Sequence, residues 1–149
     1  MFFEGSEKKL EVVVSDLPLR ELPLHFWQTL VKLSSAEIIS KISNEHFDAY
    51  LLSESSLFVE DHRFFIITCG QTSLSESAVF FINNYRKHIL SLFYQRKNEL
   101  LPDLQPTTAE TDIQRLKHLI KGQSIVLGET KGHFNHIFYY EKAAGSKNK

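Results

Sequence analysis

The chain has one cysteine, Cys69, in 149 residues. That excludes an intramolecular disulfide and suits a reducing compartment. It also lacks a basic block: 17 Lys and Arg stand against 18 Asp and Glu, for a formal net charge of −1. Without clustered cations there is no electrostatic footprint for nucleic acid, and none is expected as a partner. The N-terminal MFFEGSEKKLEVVV meets charge at its fourth residue. Neither a secretory signal nor a membrane span is expected there, and a soluble, cytoplasmic chain is the default. A glycine-rich phosphate loop and a G-x-S-x-G elbow are both missing. The histidines are scattered at His25, His46, His62, His88, His118, His133 and His136. The last two stand i, i+3 in a strand-like segment, which points them to opposite faces. No cysteine or carboxylate completes a set with them, so no metal is expected. Internal repeats and low-complexity segments are absent.

What is present is apolar patterning. Hydrophobic residues make up 42% of the chain, charged residues 23% and aromatics 12%, which marks a folded chain long enough for one core. A single domain is expected over residues 1–142, followed by a disordered tail, AAGSKNK, over 143–149. Leu10 to Val14 reads as a strand ended by SDLP. Pro23 opens a helix with Leu24, Trp27, Leu30 and Val31 on one face, ended by Ser34 and Ser35. AEIISKI alternates like a strand. HFDAYLLSESSLFVEDHRFFIITCG supplies two or three more, with Asp61-His62 as a hairpin turn. Leu74 to about Ile89 is helical in period, carrying Val79, Ile82 and Arg86 on adjacent turns. HILSLFYQRKN is strand-like. Thr107-x-x-Glu110 is a capping-box signature before IQRLKHLI, which Gly122 ends. SIVLGE and HFNHIFYYEK form a closing hairpin around Gly128 to Gly132.

Neighbouring strands with interspersed helices predict an α+β fold: an antiparallel sheet with helices on one face. FFIIT and HIFYY are apolar on both of their faces. The face away from the helices should therefore meet a second sheet, in another domain or another chain.

Three motifs could carry chemistry. In YLLSESSLFV, Ser53-Glu54-Ser55-Ser56 interrupts an apolar run. By composition this is a turn or bulge, or a phosphorylatable serine beside an acid. It could equally be a serine that attacks a strained carbonyl, shifts the chain from amide to ester, and leaves a pyruvoyl group after elimination. Cys69 ends RFFIITCG before a glycine, where it is either a small buried hydrophobe or a thiol facing a cleft. Glu4, Glu7 and Glu11 follow Phe3. They read as a solvated segment with Glu7 paired to a lysine.

Taken in order, FFEGSEKKLEV, AYLLSESSLFV, RFFIITCG and SLFYQRKN resemble the eukaryotic-type S-adenosylmethionine decarboxylase family. The match runs over residues 2–98 and continues more weakly through the SIVLG to FYY hairpin. The resemblance implies one half of an αββα sandwich and self-cleavage between Glu54 and Ser55. The products would be a 54-residue chain and a 95-residue chain, the larger beginning with a pyruvoyl cofactor made from Ser55. The substrate amine would form a Schiff base with that group, and its carbonyl would accept the electrons left when carbon dioxide departs. The resemblance makes Cys69 the proton donor and Ser56 the residue that follows the cleavage site. Phe3 would stack on the adenine near the sulfonium, and Glu4 and Glu7 would serve activity or processing. Backbone groups of Leu52 and Glu54 would meet the adenine edge. The product would be the aminopropyl donor for spermidine and spermine.

The departures are specific. Family chains are more than twice this length and hold two similar halves packed sheet on sheet; this sequence matches the first. The second half carries a Ser and a His used in processing, the acid that holds the ribose, and a second stacking aromatic. Superposing the halves puts Val126 and Tyr140 at the places of that Ser and His, with His133 and His136 as candidate substitutes. Ile67 stands where mammalian members carry a lysine linked to putrescine activation, so no putrescine response is expected. Three readings follow. The first is a decarboxylase working as a homodimer or with a separate second-half chain. The second is an inactive homologue that pairs with and regulates an active decarboxylase. The third is an enzyme whose specificity has moved to another amino acid.

Overall fold

A computed structural model of the chain describes residues 6–53, 55–70, 74–99, 107–130 and 133–142. The strands are β1 (Ser6–Val14), β2 (Ile38–Ser43), β3 (Asp48–Leu52), β4 (Ser55–Val59), β5 (Arg63–Gly70), β6 (Ile89–Glu99), β7 (Gln123–Thr130) and β8 (His133–Glu141). The α-helices are α1 (Leu24–Leu33), α2 (Ser75–Tyr85) and α3 (Thr107–Leu119). All described strands join one antiparallel sheet in the order β2-β3-β4-β5-β1-β6-β8-β7. The expected α+β class, an antiparallel sheet with helices on one face, is what forms.

Alternation in β1 sets the core. Leu10, Val12 and Val14 are buried; they stand opposite Ile66 and Phe64 of β5 and Tyr94, Leu92 and Ile89 of β6. Helix α1 covers them with Phe26, Trp27, Leu30 and Val31, and α2 with Ala78, Phe81 and Ile82. The Trp27 ring meets Phe64 edge-on at 5.2 Å, and Phe64 lies 5.0 Å from Phe81. Burial of this kind contributes about 25 cal/mol per Å² of apolar surface. One inward assignment changes. Leu24 is 48% exposed, because the first residue of α1 precedes the turn that meets the sheet; Phe26 takes the inward place. AEIISKI alternates, but β2 is an edge strand that covers nothing, so its alternation does not mark a buried face.

Other boundaries move slightly. Strand β1 begins four residues before Leu10, since the charged EKK segment still pairs with β5 and β6. Arg86 falls in a 3-10 turn after α2. Gly128 lies inside β7, beside a register shift between Val126 and Gly128, and not in the hairpin turn. The capping-box side chains of Thr107 and Glu110, and the tail over 143–149, lie outside the described residues.

Among the described residues no layer covers the opposite sheet face. Phe58, Phe65, Ile67, Phe93 and Ile137 are half-buried there. Phe58 and Phe65 stack at 5.0 Å, and Lys9 and Arg63 both lie over the Phe65 ring.

Candidate active site

The SESS segment is not mid-strand. Strand β3 ends at Leu52 and β4 starts at Ser55, with Leu52 and Ser55 paired. The two strands thus join through Ser53 and Glu54 alone. Ser53 is a turn residue that also braces the sheet. Its backbone N–H donates to Glu37 O at 2.9 Å, and its Oγ accepts from Glu37 N–H at 3.0 Å. These bonds tie the hairpin end to the start of β2. Ser55 has a φ of 156°, an outlying value for a residue that carries a Cβ.

Register then gathers three expected site residues. Ser55 stands opposite Thr68 of β5. Cys69, the next residue, stands opposite Glu7 of β1, and Glu7 opposite Lys97 of β6. Ser55, Cys69 and Glu7 therefore occupy one end of three adjacent strands. Ser55 shares the helix-side face with Leu57 and Val59. Glu7, one residue from the inward Lys8, lies on the open face, where it pairs with Lys97 at 3.7 Å. The Ser55 hydroxyl and the Glu7 carboxylate leave the sheet on opposite sides. Leu52 is buried. Phe3, Glu4 and Glu54 lie outside the described residues.

One feature next to the site was not foreseen. A polar row crosses the helix-side face through Ser55, Thr68, Lys8, Arg96 and His136. Lys8 is 1% exposed and Thr68 0%. Arg96 donates to Asp112 of α3 at 3.0 Å, and Tyr94 donates to the same carboxylate oxygen at 2.8 Å. Burial pushes the Tyr94 hydroxyl far above its ordinary value, with the Asp112 charge adding to it, so it stays a proton donor. The sequence carried a signal for this row. Lys8 has the parity of Leu10, Val12 and Val14, an inward place given to a cation.

Within one chain His136, a candidate processing substitute, does not reach Ser55. His136 is four strand spacings away along the row, about 19 Å. Val126 stands beyond it, opposite His136, and Tyr140 pairs with Leu92, further down β8. Ile67 lies between Ser56 and Lys9. Among the described residues no group of three His, Cys, Asp or Glu could hold a metal ion, and no helix is long and apolar enough to cross a membrane.

Comparison with known proteins gives a consistent result. The sequence model of the family described as adenosylmethionine decarboxylase matches residues 1–149. A protein of Onchocerca volvulus named S-adenosylmethionine decarboxylase proenzyme is 32% identical over 141 residues, covering 85% of this chain and 39% of that protein. Proteins of the same name are similar in Dictyostelium discoideum, 33% over 155 residues with 89% and 41% covered, and in Xenopus laevis, 37% over 116 residues with 70% and 35% covered. The chain thus spans about two-fifths of the length of the curated relatives it matches.

Proposed function

Because the chain belongs to the adenosylmethionine decarboxylase family, we propose that it is the pyruvoyl-forming part of a decarboxylase acting on S-adenosylmethionine. The observation that carries this reading is the placement of Ser55. It opens β4 after a two-residue connection, with Cys69 and Glu7 at the same end of the next two strands. The word proenzyme in the relatives' names is consistent with a precursor that is cut.

In this reading the Ser55 Oγ bonds to the Glu54 carbonyl carbon as the carbon–nitrogen bond breaks, and the hydroxyl proton ends on the Ser55 nitrogen. Loss of the Ser55 α-proton then expels the Glu54 carboxylate. Water replaces the nitrogen, which leaves as ammonia, and a pyruvoyl group remains. The residues present fit its formation: a serine with an outlying φ, at the first position of a strand, where a new terminus disturbs the fewest ladder bonds. When present, that group supplies a carbonyl that withdraws electrons from a bound amino acid. Cys69 Sγ returns a proton to the substrate carbon. Glu7, opposite Cys69 in the strand register and now paired with Lys97, orients the substrate's cationic groups. Phe3 and Glu4, which precede β1 in the sequence, would contact the adenine, as would the backbone of Leu52 and Glu54. Ile67 offers no charge to a diamine, and putrescine should not change the rate. The second sheet, from a second copy or a separate second-half chain, covers the open face.

Intact mass under denaturing conditions tests this. Fragments that meet at Glu54-Ser55, the larger blocked to N-terminal sequencing, are expected. A single uncut chain would sink self-processing. It would favour the second reading, a homologue that regulates an active partner. One observation supports that alternative: within one chain His136 lies about 19 Å from Ser55. A Ser55→Ala change then separates the two. It abolishes cleavage and activity in the first and leaves partner binding and activation intact in the second.

A further inference from the structure

We infer that Thr68 is a positioning residue for Ser55: its hydroxyl takes the Ser55 hydroxyl as hydrogen-bond partner and aims it at the Glu54 carbonyl. The inference rests on the self-cleavage reading above and adds a residue to it.

Thr68 is fully buried, and its Oγ1 has no hydrogen-bond partner among the described residues. A buried hydroxyl left in that state costs free energy and asks for an explanation. Most of its surroundings offer none. Ile66 precedes it on its own face, and Leu57 and Leu10 stand beside Ile66 on the two flanking strands. Directly opposite Thr68 are Ser55 on one side and Lys8 on the other. Lys8 makes interactions of its own and makes no hydrogen bond to Thr68 Oγ1. Among the described residues opposite Thr68, Ser55 is the remaining partner. Directly opposed residues on one sheet face hold their Cβ atoms about 5 Å apart, so two hydroxyls can close to about 2.8 Å by rotation at χ1 alone. With the Ser55 O–H donated to Thr68 Oγ1, the Ser55 rotamer is fixed and an oxygen lone pair is left for the carbonyl. Thr68 gains and loses no proton. The Oγ proton still ends on the Ser55 nitrogen as the amide becomes an ester.

Thr68→Val keeps the shape and removes the hydroxyl, and Thr68→Ser keeps the hydroxyl. Both are made in the full chain, with and without Ser55→Ala. Two quantities are read: the cleaved fraction against time by mass, and the unfolding midpoint of freshly refolded chain that mass shows to be uncut. Thr68→Val should slow cleavage roughly tenfold or more, the rate equivalent of one hydrogen bond, and Thr68→Ser should restore it. Thr68→Val should also lower the midpoint beside Ser55 but not beside Ala at that position. Wild-type cleavage in Thr68→Val, or equal midpoint shifts in both backgrounds, would overturn the pairing. If the parent chain never cleaves, the self-cleavage reading falls by itself. The midpoint comparison then decides the pairing alone, unequal shifts supporting it and equal shifts refuting it.

Discussion

The Asp112 carboxylate accepts from both Tyr94 and Arg96, and its side chain is only 8% exposed. Asp112→Asn keeps the shape but removes the carboxylate charge that faces the buried Arg96 guanidinium. Removing one partner of a buried pair costs about 3–5 kcal/mol, and urea unfolding should show a loss near the lower figure, because Arg96 retains 13% exposure. Asp48 offers a pH test. Burial opposes its charge, but hydrogen bonds from Arg20 and Ser43 and the Lys41 charge outweigh that and hold the carboxyl below its ordinary value. A depressed carboxyl contributes stability that is complete above the unfolded value, about 3.9, and is lost as pH falls through the folded one. Asp48→Asn should therefore lower the unfolding midpoint at neutral pH and flatten its decline below about pH 4. Neither pair could be read from the chain alone. Arg20 and Asp48 are 28 residues apart and Arg96 and Asp112 16 apart. Only tertiary packing places them together, since Arg20 and Asp112 lie outside the sheet, whereas the Glu7–lysine pairing followed from exposed charge of opposite sign nearby.

Elements with their own period were legible: α1 and α2 from their 3.6-residue apolar spacing, and β5 and β6 from β-branched and aromatic runs. The β3–β4 hairpin was harder to see because its connection carries serine and glutamate in sequence, with no glycine or proline to mark it. Ser53 works there through side-chain capture of a backbone N–H, which composition does not display. The α3–β7 junction shows the same limit. Gly122 ends the helical segment as expected, but its reason is steric. A Cβ there would come within 2.5 Å of Tyr139 O and 2.8 Å of Phe138 Cζ. The first neighbour is backbone of β8 and the second a fully buried ring, so neither can yield cheaply. Gly122→Ala should destabilise by about 1–3 kcal/mol, the range for overpacking. Unfolding midpoints unchanged within error would mean that the junction can open at no cost.

Among the described residues the sheet has helices on one side only and aromatics on both, which makes it an incomplete layer. The open face bears Lys9, Arg63 and Lys97 as well as Glu7, Glu11 and Glu60, and these already pair among themselves at 2.7–3.7 Å. A covering sheet would bury charges that are internally balanced, so it need bring no charge of one sign, and a second copy of the same face meets that condition. The stacked Phe58 and Phe65 lie among these pairs and would be the apolar centre of such an interface. Phe58→Glu places an unbalanced charge there while leaving the helix-side core untouched, since Phe58 points away from Leu57 and Val59. At tens of micromolar the parent chain should sediment as a dimer, and Phe58→Glu as a monomer whose unfolding is less dependent on concentration. A parent that sediments as a monomer would reject the second copy and leave a separate second-half chain as the covering layer. Adding such a chain should then raise the cleavage rate of the parent and not that of Phe58→Glu.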